Sequence, residues 1–459
     1  MEKGEVYSEE VVVETKSYFL KRFILIFGIT YCLSIASSQK VETPTVAKAS
    51  HVLDLLRAGD GVSVYKLCSE KVKSMVTEAQ LSGLWKGIEG QFGAFKGVRD
   101  TTVTSQDSLE IVMLVCNFEK GSLQGRFVFN TTGKLAGFFF SPAPSKGAYV
   151  PPDYVRPDRF GEEEVSFGVP EWKVAGTLSL PKSPGPFPAV ILVQGSGPHD
   201  RDETIGPNRP FKDIAWGLAS NEIAVLRYEK RTKAYGHKMT SPNVTVKEEV
   251  IDDALEAIKF LRSRNEIDSG RIFLLGHSLG AMLAPEIATL SGKLAGIILA
   301  AGPARHLEDL VLEQMEYITS LKDNPTEADK KMLEDLREKV AKLKAHTLPD
   351  SARIIGVSVA YFYDLERRDQ VQFAGKLSIP ILILQGERDY QVTIEDISLW
   401  KKAIGDRRGV KILTYPDLNH CFVAGSGKAR PEEYMKPGYV AKQVVEDISN
   451  WVKSIPLGK

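Results

Sequence analysis

The stretch "FLLGHSLGAM", Phe273–Met282, decides how the rest of the chain is read. The apolar run "RIFLL" leads into Gly276-His277-Ser278-Leu279-Gly280, and "AMLAPEIATL" follows with residues small enough to pack as a helix. A bare Gly-x-Ser-x-Gly motif is weak, but set between a buried strand and a helix it predicts a sharp turn with Ser278 at its tip. Glycines at 276 and 280 let neighbouring backbone pass close, while the turn holds the serine in a strained conformation. Ser278 then lies at a strand's carboxyl end and a helix N-terminus. The N–H of Leu279 faces any oxyanion formed when the serine attacks.

Outward from this turn the pattern repeats. "FPAVILVQG", "IAVLRYE", "LAGIILAAG", "IPILILQG" and "VKILTYP" are short apolar runs, separated by helical stretches such as "VKEEVIDDALEAIKFLRSR". Val/Ile/Leu strands alternating with helices predict a mostly parallel sheet covered on both faces. Ligands bind such sheets beyond the carboxyl ends of the strands. The alternation lapses between about 306 and 364, where "DKKMLEDLREKVAKLKAH" places Met332, Leu336, Val340 and Leu343 on one helical face. Its charged outer face suits a solvated helix, and its place between two strand units predicts a helical cap over the site.

Serine is a poor nucleophile at neutral pH, so it needs a base, and the base needs an orienting acid. With this kind of turn the chain order is serine, acid, histidine. His306 and His346 fall in the cap segment, whereas His420, in "TYPDLNHCF", follows a strand and is the expected base. Asp389, in the loop after "ILILQG", is the expected acid; Glu387 is a rival and Asp417 lies too close to His420 in sequence. The loop after "AVILV" supplies the second oxyanion donor, the N–H of Ser196 or alternatively of Gly195. The polar His199-Asp200-Arg201-Asp202 that follows is expected to lock this loop through ion pairs. Trp216, Trp400 and Trp451 are read as core, and Tyr361, Phe362 and Tyr363 as packing residues.

Upstream, "SPAPSKGAYVPPDYVRPDRF" is rich in proline and marks a linker over 143–160, with the catalytic region at 161–459. Residues 46–142 open with helical periodicity broken at Gly59-Asp60-Gly61. They continue as strands separated by Glu119-Lys120-Gly121 and Asn130-Thr131-Thr132-Gly133, the pattern of a small α+β domain. Residues 1–45 form a leader: Lys21-Arg22, an apolar run Phe23–Ala36 and a small-residue site at Ser34-Ile35-Ala36 predict export to the periplasm or beyond. Left uncleaved, it would tether the chain to a membrane. Lys+Arg and Asp+Glu balance at 59 each, so no nucleic-acid partner is advertised. Of Cys32, Cys68, Cys116 and Cys421, only Cys68 and Cys116 are plausible partners, and buried free thiols are the alternative.

These residues resemble the α/β-hydrolase superfamily, and more narrowly bacterial serine esterases that carry a small N-terminal domain of unknown function. "GSGPHDRDET", "FKDIAWGLASNEIAVLRYEKRT" and "GHSLGAMLAPEIA" carry the likeness in the catalytic region. "LRAGDGVSVYKLCSEKVKSMVTEAQLSGLWKGIEGQFGAFKGV" carries it in the first domain, which is similar to nuclear-transport-factor-like folds. The resemblance implies an α/β-hydrolase fold with a helical cap and a Ser278–Asp389–His420 triad. It implies hydrolysis of short-chain acyl esters with no metal or cofactor. Gln194 departs from the pattern, since many relatives have His there, and this bears on substrate choice. Other outcomes compatible with the residues are a peptidase or acyltransferase using the same triad, a non-catalytic envelope-binding protein, and a homodimer formed through the first domain.

Overall fold

Two compact units divide the chain at residues 146 and 147. The computed structural model describes residues 43–74, 76–106, 108–143, 149–239 and 244–456. Residues 1–42 of the expected leader, Cys32 included, lie outside the described residues, while its last three positions, Thr43, Pro44 and Thr45, cap and open the first helix.

The first unit opens with helices α1 (Pro44–Arg57), α2 (Gly61–Leu67), α3 (Glu70–Lys73) and α4 (Glu78–Phe92). Strands β1 (Phe95–Gln106), β2 (Leu109–Phe118), β3 (Gly121–Phe129) and β4 (Leu135–Pro142) follow as an antiparallel meander in chain order. The helical break expected at 59–61 is real: Gly59 takes φ +71°, and Asp60 caps α2 by accepting the Ser63 N–H at 3.0 Å. Leu53, Leu56, Trp85 and Ile88 pack against Leu114, Phe127 and Phe138 of the sheet. Cys68 and Cys116 are buried in this core as free thiols.

In the second unit an eight-stranded sheet is built from β5 (Phe160–Phe167), β6 (Val174–Pro181), β7 (Phe187–Val193), β8 (Ala224–Tyr228), β9 (Ile267–His277), β10 (Gly296–Ala300), β13 (Ile381–Gly386) and β14 (Val410–Tyr415). Its order is β14-β13-β10-β9-β7-β8-β6-β5, parallel from β14 to β8 and antiparallel for β6 and β5. A short hairpin of β11 (Arg353–Ile354) and β12 (Val357–Ser358) stands apart from it. Successive side chains of a strand point to opposite faces, and here both faces are apolar. Ile191, Leu274, Leu299 and Ile383 join one core with α7 (Asp252–Arg262), α8 (Leu279–Ser291) and α13 (Ile394–Ile404). Leu192, Leu275, Ile298 and Leu384 join the other with α5 (Pro210–Ala219) and α14 (Lys442–Ser454). A four-residue turn of helix, Arg231–Ala234 (α6), follows β8. The parallel strands β7, β8, β9, β10, β13 and β14 are the six apolar runs of the sequence. The antiparallel pair β5–β6 was not among them.

The inserted segment holds α9 (Leu307–Ser320), α10 (Glu327–Lys344), the hairpin, α11 (Val359–Glu366) and α12 (Gln370–Lys376). Thr326 and Asp329 form a capping box that starts α10. Leu333, Leu336, Val340 and Leu343 are its buried stripe, with Met332 half-buried beside it. The segment does lie over the strand ends: Gln314 donates to the Gln391 carbonyl and Tyr317 to that of Ala429, each at 3.0 Å.

Candidate active site

Ser278 sits between β9 and α8 with φ +52° and ψ −116°, a region L-residues avoid. Its N–H donates to the Ala300 carbonyl at 3.0 Å, which fixes the turn to β10. Gly276 and Gly280 keep ordinary φ and are needed for space. A β-carbon at 276 would overlap the Gly280 carbonyl, and one at 280 would overlap that of Val193. The start of α8 therefore rests directly on the end of β7.

His420 and Asp389 come together from the loops after β14 and β13, both buried. His420 Nδ1 is 2.6 Å from Asp389 Oδ2. Donation from Nδ1 to the carboxylate leaves Nε2 with a free lone pair, the tautomer a general base requires. Asp389 is held in turn: Oδ1 accepts the N–H groups of Gln391 and Val392 at 2.7 and 3.2 Å, and Oδ2 accepts Gln385 Nε2 at 3.1 Å. The rival Glu387 is exposed and accepts from the Thr414 hydroxyl at 2.7 Å, and Asp417 is exposed. His346 stacks on Tyr363 within the cap, 4.8 Å between centroids, and His306 is exposed at the start of α9.

The two oxyanion candidates in the loop after β7 separate sharply. The Gly195 N–H donates to Glu203 Oε1 at 2.7 Å, so it is already spent, and Gly195 is withdrawn as a donor. Among the described residues, the N–H groups of Ser196 and Leu279 have no hydrogen-bond partner. A β-carbon on Gly195 would stand 3.2 Å from Ser278 Cβ, so this loop lies against the serine. Gln194 is buried and donates to the Tyr228 carbonyl, so its side chain ties two strand ends together and does not face a substrate.

The polar loop is locked, but its ion pairs run outward to the sheet and not within the loop. Arg201 pairs with Glu164 and Glu229 at 2.6 and 2.9 Å, and Asp202 with Arg227. Asp200 Oδ1 accepts the N–H groups of Asp202 and Thr204 at 3.1 and 2.9 Å.

Three site residues escaped the sequence reading. His277, inside the motif itself, is buried and donates through Nε2 to the His420 carbonyl at 3.0 Å. Its Nδ1 is 3.0 Å from Glu203 Oε2, off the line of a good hydrogen bond, beside a cavity of about 10 Å³. Burial opposes the imidazolium at His277, yet the Glu203 carboxylate outweighs it and raises the pKa. Burial likewise opposes charge on Glu203, and His277 overcomes it to hold that pKa below the usual range. The third is Lys230, buried just after β8, whose Nζ is 2.7 Å from the Gly195 carbonyl. A position within Gly-x-Ser-x-Gly and charges set against apolar strands were the available signals.

Residues 207–424 match a family described as serine aminopeptidase, S33, and residues 49–138 a family described as protein of unknown function, DUF3887. Among solved structures, the chain is similar to an esterase of Pyrococcus furiosus, at 16% identity over 69% of this chain and 100% of that one, TM-score 0.42. It is also similar to Est1E of Butyrivibrio proteoclasticus, at 16% identity over 63% of this chain and 99% of that one, TM-score 0.43. Esterase EstD of Thermotoga maritima is 42% identical over 391 residues, 85% of this chain and 91% of that protein. On that breadth of likeness, spanning both units, the chain belongs to the EstD esterase family of α/β-hydrolases.

Proposed function

We propose that this chain is a serine carboxylesterase that hydrolyses short-chain acyl esters through an acyl-enzyme. His420 Nε2 takes the proton as Ser278 Oγ attacks the ester carbonyl, and Asp389 stabilises the imidazolium. The N–H groups of Leu279 and Ser196 receive the oxyanion. Collapse expels the alcohol with the proton from His420, and water activated by the same imidazole then frees the acid. The observation that carries the proposal is the buried 2.6 Å pairing of His420 with Asp389 at the strand ends where Ser278 stands at φ +52°. The likeness to EstD supports an ester as substrate. The test is p-nitrophenyl butyrate hydrolysis by wild type and Ser278→Ala. A loss of about 10³-fold or more is expected, and equal rates overturn it.

A second reading, amide hydrolysis, draws on the match to the serine aminopeptidase family. Amino-acid p-nitroanilides cleaved faster than esters would favour it. Export belongs to the same proposal: the mature protein is expected in the envelope fraction with its N-terminus beyond Ala36.

A further inference from the structure

We infer that Lys230 is a positioning residue for the oxyanion hole, gripping the Gly195 carbonyl so that the Ser196 N–H is turned toward the reacting carbonyl. The inference rests on the acyl-enzyme reading and adds to it the device that sets the second donor.

The geometry follows from the peptide bond. In a planar trans peptide the C=O of one residue and the N–H of the next point in opposite directions. Gly195 C=O and Ser196 N–H share such a plane. Lys230 Nζ, buried and 2.7 Å from the Gly195 oxygen, therefore directs the Ser196 N–H away from itself. The preceding peptide is held too, through the Gly195 N–H on Glu203 Oε1 at 2.7 Å. The following carbonyl, that of Ser196, lies 2.7 Å from His199 Nε2. Three side chains thus engage every polar backbone group of Gly195 and Ser196 except the Ser196 N–H. A Gly-Ser-Gly sequence has wide backbone freedom, and such pins remove it before substrate arrives.

Lys230 itself is anchored. Its Nζ is 2.5 Å from Glu249 Oε1, and Glu249 Oε2 accepts the Tyr361 hydroxyl of α11 at 2.8 Å. A buried ammonium is costly unless paired, and here the carboxylate compensates the charge while leaving a donor for Gly195. Charge-assisted bonds are shorter and stronger than neutral ones, so the peptide is held firmly. The chain Tyr361–Glu249–Lys230–Gly195 also ties the cap to the oxyanion loop. An ion pair serving the fold alone would need only Glu249, with no bond to a carbonyl beside the nucleophile.

The test compares wild type, Lys230→Met and Ser278→Ala with p-nitrophenyl butyrate, and measures inhibition by an aryl trifluoromethyl ketone. The ketone's adduct with the serine carries the oxyanion. For Lys230→Met we expect kcat to fall by about 10- to 100-fold, less than loss of a whole donor, with KM within about threefold. Affinity for the trifluoromethyl ketone should fall by a factor similar to that in kcat/KM. Folded Lys230→Met with kcat and ketone affinity within about twofold of wild type overturns the inference, even if its melting temperature drops. Should that variant fail to fold, Lys230→Gln, polar but too short to reach Gly195, is judged by the same two readouts. Residual wild-type activity in Ser278→Ala would instead overturn the acyl-enzyme reading, so the two failures are distinguishable.

Discussion

At the scale of single residues, several groups of the site have their directions prescribed by second partners. Asp389 shows this most clearly. Its two oxygens take three bonds besides that to His420, from Gln391, Val392 and Gln385. The carboxylate therefore cannot rotate away from the imidazole. Asp389→Asn keeps the shape but offers an amide N–H where an acceptor is required, favouring the wrong imidazole tautomer. The expected fall in kcat is about 10³- to 10⁴-fold, measured with p-nitrophenyl butyrate. Glu387→Gln, altering an exposed group, should stay within about twofold of wild type.

At the scale of elements, the decisive contact is the seat of α8 on β7. No side chain separates them: Gly280 lies against the Val193 carbonyl and Gly276 against Gly280. Gly280→Ala forces the helix off the strand, with an expected loss of about 1–3 kcal/mol in stability by urea denaturation. Activity per folded molecule should also fall, because Leu279 opens the same helix. Gly270→Ala is the contrast, since its new β-carbon meets only Asp268 Oδ1 at 3.4 Å; a change within about 0.5 kcal/mol is expected. The cap obeys the same logic at lower density. α10 is charged on its outer face and buries a stripe of Leu333, Leu336, Val340 and Leu343, with Arg337 and Lys344 pairing to Glu316 and Asp309 of α9.

At the scale of the whole catalytic unit, Asp213 on α5 joins distant segments. It accepts the Tyr149 hydroxyl and, at 2.9 Å, the Val440 N–H just before α14. Burial pushes its carboxyl up to about 7, with the hydrogen bonds from Tyr149 and Val440 opposing. A raised carboxyl binds its proton more tightly in the folded state than in the unfolded chain. Stability from this group is therefore full below the unfolded pKa of 3.8 and declines as pH rises toward about 7. Asp213→Asn should flatten the pH dependence of unfolding free energy between about pH 4 and 7 by up to about one proton. An unchanged slope would place the titration elsewhere. The outer strands β5 and β6 show why part of this unit was illegible in sequence. Glu162 and Glu164 give "FGEEEVSF" a polar look, and their ion-pair partners, Arg227 and Arg201, come from far along the chain.

What the amino-acid sequence determined by itself was local or periodic. Apolar runs marked the six parallel strands, glycine spacing marked the turn at Ser278, and chain order singled out Asp389 and His420. Such patterns need only neighbours in sequence to be read. Tertiary structure alone decided which backbone N–H groups stay free. The Gly195 N–H is spent because Glu203 folds back onto it, whereas Lys230 and His199 engage the carbonyls of Gly195 and Ser196 and leave the Ser196 N–H unbonded. His277 is tied to the loop of the expected base by its bond to the carbonyl of His420, 143 positions away. A hydrogen-bond donor is available or spent according to what lies within about 3 Å of it, and that distance is settled only when the strands have brought their ends together.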